Sequence, residues 1–67
     1  MEDIYRDHRI SVRQAINHGN GFEAKIWTVQ GNPTLLVAKA SLDEGAATCL
    51  DRARKVIDQF ITYRDQH

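Results

Sequence analysis

The sequence predicts a small α+β domain, in which a three-stranded antiparallel β-meander is covered on one face by a single C-terminal α-helix (βββα). Three observations indicate this class: an amphipathic pattern in the last third of the chain, period-two alternation before it, and two turn-forming clusters between the alternating stretches. The 67 residues allow one domain, spanning 1–67. A core of this size is marginally stable alone, and such domains often gain stability by oligomerising.

The helix is predicted over residues 41–64. Ser41 and Glu44 have the spacing of a capping box, in which each side chain accepts a hydrogen bond from the other residue's backbone N–H. Apolar residues then recur every three or four positions and form one stripe along the helix. The stripe consists of Ala46, Leu50, Ala53, Ile57, Phe60 and Ile61, with Ala47, Cys49 and Val56 at its edges.

Three stretches alternate as half-buried strands do: residues 5–16, 22–30 and 34–40. Residues 17–21, Asn-His-Gly-Asn-Gly, are predicted to form a hairpin loop because Asn and Gly tolerate positive φ. Residues 31–33 form a second turn. Pro33 belongs at the start of the third strand because proline cannot donate to a β-ladder. Residues 1–4 are predicted to fray.

The core side of each strand follows from the alternation. The third strand is apolar on both faces, and its orientation is assigned from its alanines, which let a helix lie close. The residues assigned to the core are Ile10, Val12 and Ile16, then Phe22, Ala24, Ile26 and Thr28, then Leu36, Ala38 and Ala40.

The sheet face opposite the helix has no second layer, and we expect it to carry the function. An exposed Trp27 beside aliphatic residues, rimmed by cations, is typical of an interface. A register shift of one residue in the second or third strand would instead place Trp27 in the core. Ser11 and Leu35 share this face with the candidate binding residues, which are Arg9, Arg13, Lys25, Trp27, Val29, Val37 and Lys39.

Two functions suit such a face. Two copies can meet through it, face to face or edge to edge, as a homodimer, or it can bind another protein. Alternatively it can enter a DNA groove, with arginines on phosphates or guanine edges. The nine basic and nine acidic residues give zero formal net charge, which argues against a general polyanion binder. A non-enzymatic interaction module is therefore the first expectation, and a DNA-binding module is the alternative.

No catalytic, nucleotide or cofactor motif is present, and no enzyme or cofactor is predicted. The possible soft metal ligands His8, His18, His67 and Cys49 have no metal-site spacing. The single cysteine suits a reducing compartment, and the sequence shows no signal peptide or membrane span. We therefore predict a cytoplasmic protein.

Two resemblances add to these expectations. Residues 5–12, 22–27 and 46–58 resemble short uncharacterised bacterial proteins of similar length, which implies a βββα fold without implying an activity. The chain is also similar to β-β-β-α DNA-binding domains of the AP2 and integrase arm-binding types, which place sheet arginines and a tryptophan on DNA. The residues that match those positions are Arg9, Arg13, Lys25 and Trp27. The present chain departs from those domains in two ways: its net charge is zero, and its strands carry fewer basic residues.

Overall fold

The computed structural model describes residues 1–15 and 21–66. Its four strands form one antiparallel sheet in the order β1-β2-β3-β4, and the helix packs on one face of this sheet. The elements are β1 (Glu2–Tyr5), β2 (His8–Gln14), β3 (Gly21–Thr28), β4 (Pro33–Ser41) and α1 (Gly45–Asp65). The α+β class and the single covering helix are confirmed, whereas the predicted number of strands is wrong. The predicted loop residues 17–20 and the core residue Ile16 lie outside the described residues.

The additional strand is β1, at the chain start that was predicted to fray. Arg6 and Asp7 have φ values of 48° and 64° and reverse the chain between β1 and β2. Two-residue hairpin turns need this positive φ, and their usual sequence signal is Asn-Gly. Arg6-Asp7 lacks that signal, so the alternating pattern predicts one strand through these residues instead of a turn. The Met1 ammonium and carbonyl bond Val12 at 3.2 and 2.7 Å, which holds the first residue in the ladder.

The other strands alternate as predicted. Ile10 pairs with Ile26, and Ala24 pairs with Ala38, on the side that faces the helix. The turn before Pro33 is confirmed, and β4 begins at that proline. The buried sheet residues are Ile10, Val12, Ala24, Ile26, Ala38 and Ala40.

The helix begins at Gly45, four residues later than predicted. The reciprocal bonds between Ser41 and Glu44 do form, at 2.8 and 3.2 Å. However, Ser41 is the last residue of β4, so these bonds close the turn that leads into the helix. Gly45 has a φ of 89°, which a residue with a side chain rarely adopts, and this glycine allows the change of direction.

The buried side of the helix repeats every four residues. Cys49, Ala53, Ile57 and Ile61 are the buried positions. Cys49 was predicted at the edge of the stripe, yet it is fully buried, while Phe60 is 40% exposed. Small residues at 49 and 53 let the helix approach the alanines of β3 and β4, and this close approach decides which side of the helix is covered.

Polar contacts tie the helix to the β1–β2 hairpin. Arg54 bonds the Asp3 carboxylate at 2.6 Å. Asp58 accepts from the guanidinium of Arg6 at 2.8 Å and from the Tyr5 hydroxyl at 2.9 Å. The sequence predicts Arg54 and Asp58 as a pair on the helix surface and the Tyr5 hydroxyl in water. Both predictions are wrong because these three residues find their partners across the contact between the helix and the unpredicted hairpin.

Candidate binding face of the sheet

We call the sheet face opposite α1 the outer face. Its side chains lie in three rows that cross the strands, because paired residues of adjacent strands stand opposite each other. The rows are Ile4, Arg9, Trp27 and Pro33; then Glu2, Ser11, Lys25 and Val37; then Arg13, Glu23 and Lys39. Trp27 pairs with Arg9 and is absent from the buried core. The predicted orientation is therefore confirmed, and the shifted register is excluded.

A shallow hollow crosses the middle of this face along β2. Ser11 is small and lies between Arg9 and Arg13, so the strand surface is low at its position. Ser11 is only 6% exposed although it points away from the helix. The hollow has a volume of about 250 Å³ and is lined by Glu2, Arg9, Ile10, Ser11, Arg13, Trp27 and Gly31.

The charge of the outer face is moderately positive. Four cations stand against two carboxylates across the three rows, a formal sum of +2. The guanidinium of Arg9 lies 4.0 Å from the carboxylate of Glu2, and both side chains are more than half exposed. Glu23 lies between Arg13 and Lys39 in the third row. The exposed Arg9–Glu2 pair is weak, so solvent and ligands can compete for either partner.

The apolar part of the outer face lies on β4. Leu35 is fully exposed and Val37 is 50% exposed, and we call these two residues the β4 strip. A bulge separates the pairing of Lys25 from that of Trp27 and shifts the start of β4. At the bulge the Thr34 hydroxyl donates to the Ile26 carbonyl at 2.6 Å, which compensates for part of the interrupted ladder.

The backbone edge of β4 is partly protected. The Ala15 N–H bonds the Gly21 carbonyl at 2.8 Å, so odd-numbered residues of β3 bond β2 and even-numbered ones bond β4. By the same alternation Val37 and Lys39 direct their backbone groups to the open edge. The guanidinium of Arg52 donates to the Lys39 carbonyl at 3.0 Å. This cap occupies one backbone group of the open edge, and the bulge interrupts the regular spacing of the ladder beside it.

The predicted site residues therefore divide into two groups and one exception. Arg9, Arg13 and Trp27 meet at the hollow, whereas Lys25, Val37 and Lys39 lie on the β3–β4 side of the outer face. Val29 was predicted on the face but lies past the end of β3, where its N–H bonds the Asp7 carbonyl at 3.1 Å. It is 42% exposed beside the first turn.

Three residues of the face were missed as candidate site residues, for two reasons. Glu2 belongs to β1, and no apolar alternation marks that strand in the sequence. Ser11 and Leu35 were placed on the correct face, but composition alone does not show that one forms the floor of a hollow and the other is wholly exposed. The small residue between two arginines was the available signal for the hollow.

The polar cluster at the helix–hairpin junction does not suit acid–base chemistry. The Arg6 guanidinium, and then the Tyr5 hydroxyl, hold the pKa of Asp58 below its ordinary value. The hydrogen bond to Asp58 raises the pKa of the Tyr5 phenol. Both pKa values move away from neutral pH, whereas general acids and bases work best with a pKa near it. The cluster links the helix to the hairpin.

Two other perturbed groups also have structural roles. The Arg52 guanidinium, helped by the Ser41 N–H, lowers the pKa of Glu44 to about 2. Burial raises the pKa of the Cys49 thiol, whose sulfur lies 3.8 Å from the Ala38 carbonyl oxygen. A buried thiol with a raised pKa is a poor nucleophile. Cys49 therefore acts as a small core residue.

Metal and membrane sites were examined over residues 1–15 and 21–66. Within these ranges no three His, Cys, Asp or Glu residues are grouped as metal ligands. The helix described there is not apolar enough to cross a bilayer.

No family model, curated protein or solved structure matches this chain. The fold and the face together define a small α+β protein in which the helix covers one sheet face, and no described element covers the other.

Proposed function

We propose that this protein is a small non-enzymatic binding module that associates with a second copy of itself through the β4 strip, with the cytoplasm as its expected compartment. The observation that carries the proposal is the complete exposure of Leu35 next to a half-exposed Val37, on a face that no element of the described chain covers. Adjacent exposed aliphatic side chains on a sheet gain free energy when they leave water.

The contact through the β4 strip is made face to face by side chains, and the backbone edge of β4 is less suited to it. Edge pairing requires free N–H and C=O groups along a strand, and Arg52 already occupies the Lys39 carbonyl. The bulge at the start of β4 further disturbs the spacing of the ladder. The side chains of the β4 strip remain available, and sheets that pack through side chains lie about 10 Å apart.

A second copy of the chain suits the charges around the strip. In a two-fold contact the residue that touches a partner's residue is touched in return, so Leu35 can pack against Val37 in both directions. Glu23 and Lys39 lie side by side in the third row, which lets each face the opposite charge on the other copy. The zero net charge of the chain adds no long-range repulsion.

The association should be weak. Two aliphatic side chains with a charged border bury less than the 1,200–2,000 Å² or so of total surface typical of stable complexes. We therefore expect a monomer–dimer equilibrium rather than a permanent dimer.

Sedimentation equilibrium of the full chain over a range of concentrations tests the proposal. The average mass should rise from 7.7 kDa towards twice that value as concentration increases. The Leu35→Lys variant should raise the dissociation constant at least tenfold, since a charge would enter the contact. Its thermal unfolding should match the wild type because Leu35 is fully exposed.

The matched control is Leu42→Lys. Leu42 is 42% exposed but lies in the turn after β4, outside the outer face. This variant should associate as the wild type does. A wild-type chain that stays monomeric up to about 1 mM, the weak limit of specific association, would contradict the proposal. Equal loss of association in both variants would also contradict it.

DNA binding through the same face is a second candidate function, and the formal charge of +2 on the outer face favours it. Arg13, Lys25 and Lys39 would contact phosphates in this case. Gel shifts with duplex DNA at two salt concentrations test it, because binding by phosphate contacts weakens steeply with salt. Absence of a shift at low salt would remove this candidate. Neither function requires a cofactor.

A further inference from the structure

The hollow above Ser11 has a shape that the β4 strip lacks. The strip consists of exposed aliphatic side chains, whereas the hollow is concave and is bordered by charged and aromatic side chains. Its volume of about 250 Å³ lies below the range of about 300–1,000 Å³ typical of drug-sized pockets. It can therefore hold one ring-sized group with a small substituent rather than an extended ligand.

Two guanidiniums stand at the ends of the hollow. Arg9 and Arg13 lie four residues apart on β2, so their α-carbons are about 13 Å apart, with Ser11 midway. A guanidinium binds phosphate through two parallel hydrogen bonds, which a lysine cannot match. A ring above Ser11 thus leaves either arginine within reach of an anionic substituent.

Trp27 forms one wall of the same hollow. It is half-buried and pairs with Arg9 across the β2–β3 ladder. An indole that lies on a sheet surface beside cations is a stacking platform for a nucleobase, and stacking is largely independent of which base is present. The Trp27 indole therefore favours a flat ligand, whereas the arginines alone would bind any anion.

We propose that this hollow binds a nucleotide unit, with the base stacked on Trp27 and the phosphate held by Arg13, since Arg9 already faces the Glu2 carboxylate. The unit can come from a free nucleotide or from a single-stranded nucleic acid, since both present a base beside a phosphate. Duplex DNA keeps its bases stacked on each other, so this site is distinct from the groove contact considered above.

Glu2 makes the proposal sharper. Its carboxylate lies 4.0 Å from the Arg9 guanidinium at the rim of the hollow. This carboxylate keeps Arg9 occupied and repels a phosphate that enters the hollow. Removal of the charge from Glu2 should therefore strengthen nucleotide binding, whereas removal of a positive charge should weaken it.

Trp27 is the single tryptophan of the chain, so its fluorescence reports on the hollow directly. The full chain is titrated at low salt with AMP, with an oligothymidylate of about eight nucleotides, and with inorganic phosphate. AMP and the oligonucleotide should quench the fluorescence, and phosphate alone should not. Similar affinities for AMP and the oligonucleotide indicate a free nucleotide as the ligand. Oligonucleotide binding tighter by tenfold or more indicates a single strand.

Charge variants test the geometry. Arg13→Gln should weaken binding about tenfold, the effect of losing one charge-assisted contact to phosphate. Glu2→Gln should tighten it severalfold. The matched control is Lys55→Gln, which removes an exposed cation from the helix, where it pairs with Asp51 at 3.1 Å. The control should bind as the wild type does. All variants should unfold at the wild-type temperature because these side chains are exposed.

Three results would overturn the proposal: no quenching by either nucleotide ligand at low salt, an equal response to phosphate alone, or equal weakening by Arg13→Gln and Lys55→Gln. The proposal can be tested separately from self-association because neither Leu35 nor Val37 lines the hollow. Leu35→Lys should weaken association at least about tenfold and leave nucleotide binding unchanged. Arg13→Gln should weaken nucleotide binding about tenfold and leave association unchanged, so each proposal can fail alone.

Discussion

The two faces of the sheet arise from the same alternation but have different surroundings. On the inner face Ile10 and Ala24 are 1% and 0% exposed because the helix covers them. On the outer face Leu35, which is as apolar as any core residue, is fully exposed. The difference shows that the position of the helix, rather than the hydrophobicity of a residue, decides whether that residue stabilises the fold or remains available for binding.

The faces also differ in side-chain size. On the β3–β4 side, the inner face carries the small residues Ala24, Ala38 and Ala40, and the buried side of the helix carries Cys49 and Ala53. Small side chains bring the helix backbone close and leave no room for enlargement. The outer face carries long arginines, lysines and an indole that surround a hollow. Substitutions should therefore change stability on the inner face and binding on the outer one.

The largest expected difference between the faces is in the free energy of unfolding. Ile57→Ala removes a fully buried side chain and should cost about 2–5 kcal/mol. Leu35→Ala should change the free energy of unfolding by no more than about 0.5 kcal/mol. Chemical denaturation followed by circular dichroism measures both. Similar costs for the two variants would mean that Leu35 is covered, and the comparison would fail.

Enlargement of adjacent residues of β4 gives the next largest effect. Ala38→Leu would push a larger side chain against the helix near Cys49 and should cost about 1–3 kcal/mol. The side chain at position 37 points to the outer face, so Val37→Leu should leave the free energy of unfolding unchanged. Urea unfolding curves of the two variants provide the measurement. A neutral Ala38→Leu would show that the helix does not lie close.

The turn that creates β1 offers a smaller, stabilising test. Asp7 has a φ of 64°, and Asp7→Gly should raise the free energy of unfolding by about 0.5 kcal/mol. Relief of about 1–2 kcal/mol of left-handed strain slightly exceeds the entropic cost of about 0.5–1 kcal/mol for glycine. Asp43→Gly is the control, since Asp43 has an ordinary φ and glycine there should only destabilise. Destabilisation by Asp7→Gly would contradict the tight turn.

The smallest effect is the pH dependence of the contacts at the edge of the inner face. Arginine partners lower the pKa values of Asp3, Glu44 and Asp58. Each carboxylate therefore contributes fully to the free energy of unfolding when the pH is above its ordinary pKa. The contribution of Glu44 is lost as the pH falls from 4.5 towards about 2. Thermal unfolding from pH 6 to pH 2 should show this decline, and Glu44→Gln should reduce it. An unchanged decline in that variant would contradict the assignment.

Much of the candidate site could be predicted because alternation is a local property. The placement of Arg9 and Trp27 on one face follows from the alternation within each strand, whereas their pairing depends on the register of the two strands. The hollow could not be predicted, since it depends on Glu2 in an unmarked strand and on the low surface at Ser11. The helix start was misplaced for a related reason: the Ser41–Glu44 bonds that normally open a helix here close a turn after β4.

The sequence by itself determined the α+β class, the alternation of the three longer strands and the presence of one amphipathic helix at the C-terminal end of the sheet. These features depend on residues that are neighbours along the chain. Only the tertiary structure decided that β1 joins the sheet, that Cys49 lies at the centre of the helix contact and that Arg52 caps the Lys39 carbonyl. Such contacts join residues distant in sequence, and their geometry depends on how closely the helix packs against the sheet.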